Sequence, residues 1–93
     1  MDASKAWKLE PDGGASEMKP GNGRHFTLEE LQGAVGGYIE LLRLEGDRFL
    51  VLNEDGRAFG LEVNATASLL ARRVGVAGPI VGTAVVCPAP MVD

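Results

Sequence analysis

Metal, redox and disulfide chemistry have little to draw on in this chain, which holds one cysteine, Cys87, and one histidine, His25. A lone cysteine excludes an intramolecular disulfide framework and fits a reducing compartment. Zinc lacks a ligand set. A Cys–His nucleophilic pair would need these two residues to meet. The plainer reading makes Cys87 a small apolar group at a strand end and places His25 in a loop. Basic residues are also scarce: nine Lys and Arg against thirteen Asp and Glu give a net charge of −4. Nucleic-acid binding needs clustered cations to neutralise phosphate, so that class is set aside. The same charge is too small for a DNA mimic, which needs dense rows of carboxylates. Aromatics number five among 93 residues, so the core is built from Leu, Val, Ile and Ala. The first residues, Met-Asp-Ala-Ser-Lys, carry no apolar run, and no secretory leader is expected. Val74 to Val92 is free of charge for 19 residues, the length of a membrane span. Pro79, Pro88 and Pro90 interrupt it and would break the helix a span needs. We read a buried strand there, and no membrane role.

What the sequence does contain is organised around Phe26 to Glu40. Thr27 followed by Glu30 is a capping box: the hydroxyl accepts the Glu30 N–H, and the carboxylate reaches back to the Thr27 N–H. Phe26 before the cap and Leu31 after it are spaced for a hydrophobic staple. Glu29 and Glu30 favour the positive end of the helix dipole. Leu28, Leu31 and Val35 share one face of a helix about two turns long. Gly36-Gly37 supplies the left-handed stop. Tyr38 to Leu44 then reads as a strand, with Ile39 and Leu41 on one face and Tyr38, Leu42 and Leu44 on the other.

Before this stretch, Ala6 to Glu10 alternates as a half-buried strand, with Trp7 and Leu9 on one side. Pro11 to Gly14 is a turn, after which Ala15 to Lys19 can fold back as a short partner. After it, Phe49 to Leu52 gives a strand antiparallel to the previous one. Asn53-Glu54-Asp55-Gly56 turns the chain into a short third strand over Arg57 to Leu61. Asn64 is an N-cap for a helix through Arg73. Gly78-Pro79 leads into the β segment Ile80 to Cys87. The fold class is α+β: a small, mainly antiparallel sheet of about four strands with two short helices on one face, in the order β-α-β-β-(β)-α-β. We expect one domain over residues 1–93, with 1–5 and 88–93 as tails. The uncovered sheet face would call for self-association.

Chemical motifs are few. Val51-x-Asn53-x-Asp55-Gly56, with Glu62 downstream, approaches a calcium loop but has Val where the first ligand belongs, and its flanks are strands. A hairpin turn accounts for it. Gly33-x-x-Gly36-Gly37 follows a helix, whereas the dinucleotide fingerprint follows a strand. Asn64-Ala65-Thr66 fits a glycosylation sequon but serves better as a helix cap. Arg72-Arg73 suits the C-terminal dipole. No metal ligands, cofactor motif or catalytic residues are assigned, and the chain is read as no enzyme. A carboxylate pair among Glu40, Glu54 and Asp55 is the one enzymatic alternative.

The spacing from Leu28 to Glu40, then Asn53 to Gly56, Asn64 and Ile80-Val81-Gly82, resembles the small family known as domain of unknown function 3846, over roughly Ala6 to Cys87. That family is found in phages, prophages and other mobile elements. The resemblance implies a compact accessory protein in the cytoplasm of a bacterial host cell. Two functions are expected. In the first, a homo-oligomer holds a small nucleotide-like ligand and sequesters a host immune signal. Gly36, Gly37 and Tyr38 would shape the site. Gln32, Glu40, Asn53 and Asn64 would supply polar contacts, and Arg57 or Arg73 would meet a phosphate. In the second, the chain is an interaction module that binds a host protein through an exposed sheet face or edge.

Overall fold

Alternating side chains decide the architecture. The computed structural model describes residues 2–92, so Met1 and Asp93, placed at the sequence level in the tails, lie outside the described residues. The strands are β1 (Ala6–Leu9), β2 (Ala15–Met18), β3 (Ile39–Leu44), β4 (Arg48–Asn53) and β5 (Ala84–Pro88). The helices are α1 (Leu28–Val35) and α2 (Ala65–Arg72), and a 3-10 turn over Ala89–Met91 follows β5. They build one five-stranded sheet in the order β2-β1-β5-β4-β3, in which every pairing is antiparallel. The α+β class and the antiparallel sheet therefore stand.

Successive residues of a strand point to opposite faces, and here both faces are covered. Leu50 and Leu52 of β4, with Ala84 and Val86 of β5, pack with Leu9, Leu44 and the α2 residues Ala67 and Ala71. Val51, Val85 and Cys87 point the other way and pack with Phe26 and the α1 residues Leu31 and Val35. The two helices thus lie on opposite faces, not on one. Leu50-Val51-Leu52 offers apolar groups to both sides, and each side takes a helix. The bare face that argued for self-association is gone. The middle position belongs to β5, whose residues Ala84 to Cys87 are all buried. That explains the long uncharged run: a strand covered on both faces and both edges has no place for charge.

Local signals behave as their chemistry dictates. The capping box forms, with Glu30 N–H donating to Thr27 Oγ1 and Thr27 N–H donating to the Glu30 carboxylate at 2.9 Å. Gly21 N–H donates to the same carboxylate at 2.9 Å. These donors hold the Glu30 carboxyl below its ordinary range, the Thr27 N–H foremost. Phe26 and Leu31 are buried in one cluster, as a staple requires. Gly36 closes α1 at φ 81°, and Gly37 lies outside the left-handed region. Leu28 departs from the expected apolar face and is exposed.

Three further expectations change. The strand proposed over Arg57 to Leu61 is a run of turns, with Gly60 at φ 66°. Ile80 to Cys87 divides at Gly82, whose φ of 79° bends the chain; Val81 bridges to Val63, and only Ala84 onward joins the sheet. The segment after β5 is no loose tail. Met91 C=O accepts from Phe26 N–H at 2.8 Å, Val92 bridges to Phe26, and Met91 and Val92 pack against the α1-side core.

Candidate functional site

A cleft opens on the α2 face, between the β3–β4 hairpin and the segment 76–81. Leu42 and Leu52 form its floor, while Val76, Pro79, Ile80 and Val81 form one wall. Its volume is about 310 Å³. Glu40 faces it from β3, because Glu40 pairs with Leu52 and shares that face. Glu54 and Arg57 enter from the turns after β4.

The wall is held in place by polar contacts that sequence spacing does not reveal. Asn64 is fully buried, and its side-chain amide donates to Leu9 C=O at 3.0 Å and to Gly82 C=O at 2.9 Å. Its oxygen accepts from Ala67 N–H, capping α2. Ser68 Oγ accepts from Ile80 N–H at 2.9 Å and donates to Asn64 C=O at 2.7 Å. One asparagine and one serine thereby tie α2, β1 and the 80–82 segment together. Arg57 spans the cleft mouth and donates to Pro79 C=O at 3.2 Å. Its guanidinium lies so close over Gly78 that a Cβ there would collide with it. A side chain at 78 would push the guanidinium aside, a shift that the far end of a flexible arginine can make.

The expected ligand residues divide among different places. Glu40, Asn53 and Arg57 line the cleft. Asn53 does so without its carboxamide, which donates to Val35 C=O at 3.1 Å and accepts from Asp55 N–H at 2.8 Å. It closes the end of α1 on the opposite side of the sheet. Gln32, Gly36, Gly37 and Tyr38 border a separate, more open depression of about 290 Å³ with Asp55 and Phe59. Arg73 sits at the end of α2 beside a recess of about 20 Å³, too small for a ligand. Asn64, expected to offer a ligand contact, has its polar atoms engaged internally and is a structural anchor. Leu42, Leu52, Val76, Pro79, Ile80 and Val81 were not on the expected site. Only the Gly78-Pro79 turn hinted at that wall.

Two of the carboxylates considered as an enzymatic pair, Glu40 and Glu54, both line the cleft. Among the described residues, no group of His, Cys, Asp and Glu gathers to hold a metal ion. His25 lies half-buried in the loop before α1 and Cys87 is buried in β5, where desolvation pushes its thiol up to about 11. Such a thiol is a poor nucleophile at neutral pH. Among the described residues, no helix is long and apolar enough to cross a membrane.

The family model described as Domain of unknown function (DUF3846) matches residues 5–91, nearly the whole chain. Comparisons with curated proteins and with solved structures give no match. The chain belongs to the family of domain of unknown function 3846.

Proposed function

We propose that this family member is a non-catalytic accessory protein of phage type that holds a small nucleotide-like molecule in the α2-face cleft. By withdrawing that molecule from solution it would blunt a nucleotide-based immune signal in a bacterial cytoplasm. The cleft is the observation that carries the reading. Its volume of about 310 Å³ lies at the lower end of small-ligand sites, which pair an apolar lining with a few placed polar groups. The floor of Leu42 and Leu52 suits the face of a base. Glu40 and Glu54 are acceptors only when ionised, so they suit the amino groups of a base or the hydroxyls of a ribose. Arg57 has N–H groups beyond the one given to Pro79 and is the single cation of the lining. A ligand with one phosphate or a cyclic phosphate therefore fits better than a polyphosphate.

Calorimetric titration with cyclic nucleotides and ADP-ribose-type molecules tests this, together with mass spectrometry of the protein as purified. Stoichiometric binding that weakens at least tenfold in Arg57→Ala and in Glu40→Ala supports the reading. A folded sample that binds nothing in the panel overturns it. A second reading, a module that binds another protein, is favoured by a separate observation: β3 is an edge strand with Leu41 exposed.

A further inference from the structure

The backbone of β3 has a free side, and its geometry can be read from one hydrogen bond. Glu54 N–H donates to Tyr38 C=O at 2.9 Å, one step beyond the pair Ile39↔Asn53. In an antiparallel ladder, bonded and non-bonded pairs alternate. Glu40, Leu42 and Leu44 therefore bond inward to β4, while Ile39, Leu41 and Arg43 aim N–H and C=O away from the sheet. Among the described residues, no hydrogen bond engages these outward groups. The edge is six residues long and lacks the lysine, proline or bulge that usually protects one.

Charge decides what can dock there. On the cleft face of this edge, Glu40 and Glu54 take part in no ion pair among the described residues. Arg57 is spent partly on Pro79, and Arg43 on the other face is bonded to Asp47 at 2.6 Å. A second copy pairing antiparallel about Leu41 would set Glu40 diagonally across from its symmetry mate, about 7–8 Å away. Like charges at that distance disfavour the self-pair. A strand with a cation opposite Glu40 gains instead. Because Glu40 bonds inward, it would form a non-bonded pair with an added strand, the geometry that brings side chains closest.

We propose that the β3 edge accepts an extended, basic segment of another protein as a sixth strand, with a Lys or Arg facing Glu40 and apolar residues facing Leu41 and Leu42. This inference rests on the protein-binding reading and shares Glu40 with the cleft, while its backbone contacts at Ile39, Leu41 and Arg43 lie outside the cleft lining. Backbone bonds to Ile39, Leu41 and Arg43 supply the attachment, and alternate side chains supply the selection.

The probe is a capped six-residue peptide of alternating valine and threonine, with one lysine at the position facing Glu40. Amide hydrogen exchange by NMR reads the result. Added peptide should slow exchange at Ile39, Leu41 and Arg43 and leave Glu40, Leu42 and Leu44 as they were. Glu40→Lys, at an exposed position, should weaken the lysine peptide roughly fivefold and favour a glutamate-bearing one. A peptide N-methylated on the groups that face β3 should not bind. The proposal is overturned if millimolar peptide protects none of the three amides, or if binding ignores the sign of the charge. It is also overturned if those amides are protected in the free protein in a concentration-dependent way, which would assign the edge to a second copy. Calorimetric binding of a nucleotide without amide protection would defeat this inference alone.

Discussion

The two faces of the sheet are closed by different means. On the α1 face, large apolar groups meet directly: Phe26, Leu31, Val35, Val51 and Val85, with Met91 and Val92 folding over them. On the α2 face the fully buried helix residues are alanines, Ala67 and Ala71, with Leu70 packed beside them. The sheet contributes large groups there too, Leu9, Leu44, Leu50 and Leu52, and buried polar contacts centred on Asn64 and Ser68 add to them. The α1 side still has a depression beside the end of α1, open and bordered by Gln32, Gly36, Gly37, Tyr38, Asp55 and Phe59. The α2-side cleft is a gap between the β3–β4 hairpin and the segment 76–81, which the Asn64 and Ser68 contacts hold in place. Under the proposed function, the α1 side is the scaffold and the α2 side the working surface.

The largest test of this contrast is on the scaffold side. Phe26→Ala should cost about 4 kcal/mol, the usual loss for a buried aromatic, and chemical denaturation measures it. Asn64→Ala should follow at about 3 kcal/mol, because two carbonyls and one N–H lose their partner in a buried setting. Asn64→Asp sharpens the point. Aspartate keeps the cap acceptor but cannot donate to Leu9 and Gly82, so it should rescue little. If Asn64→Asp were as stable as the parent, capping alone would explain Asn64 and the pinned-face account would fail.

Next comes the alkaline limb of the stability curve. Burial in the α1-side core raises the Cys87 thiol from its ordinary value to about 11. The folded state therefore keeps a proton that the unfolded chain gives up above about pH 9. Stability should fall as pH rises from about 9 through about 11, by on the order of 2 kcal/mol. Cys87→Ala should flatten that limb. The smallest effect is at the α1 cap, where Thr27→Ala should cost about 1 kcal/mol by thermal denaturation, with the cleft unaltered.

Much of the local structure is legible in residues that act on near neighbours. Thr27 and Glu30 are three apart, Asn64 and Ala67 likewise, and Gly36 follows its helix directly. Trp7 and Leu9 share a face because a strand's period is two. What cannot be read locally is which face each helix takes. Leu50-Val51-Leu52 is apolar on both sides, and only the distant pairing of β4 with β5 resolves it. The second role of Asn64 is hidden for the same reason. Its amide donates across 55 and 18 residues of sequence, to Leu9 and Gly82. Polar residues with no partner close in sequence read as ligand contacts. For Asn53 and Asn64 the explanation lies in distant backbone carbonyls, while Glu40 and Arg57 do reach the cleft.

The division into scaffold and working surface is tested most directly by mapping backbone chemical-shift changes as a nucleotide that binds is titrated in. The account predicts changes at Glu40, Leu42, Glu54, Arg57 and residues 76–81, with α1 silent. Changes concentrated instead at Gln32, Gly36, Gly37, Tyr38 and Phe59 would contradict it, because they would place the ligand in the depression beside α1 and not in the α2-face cleft.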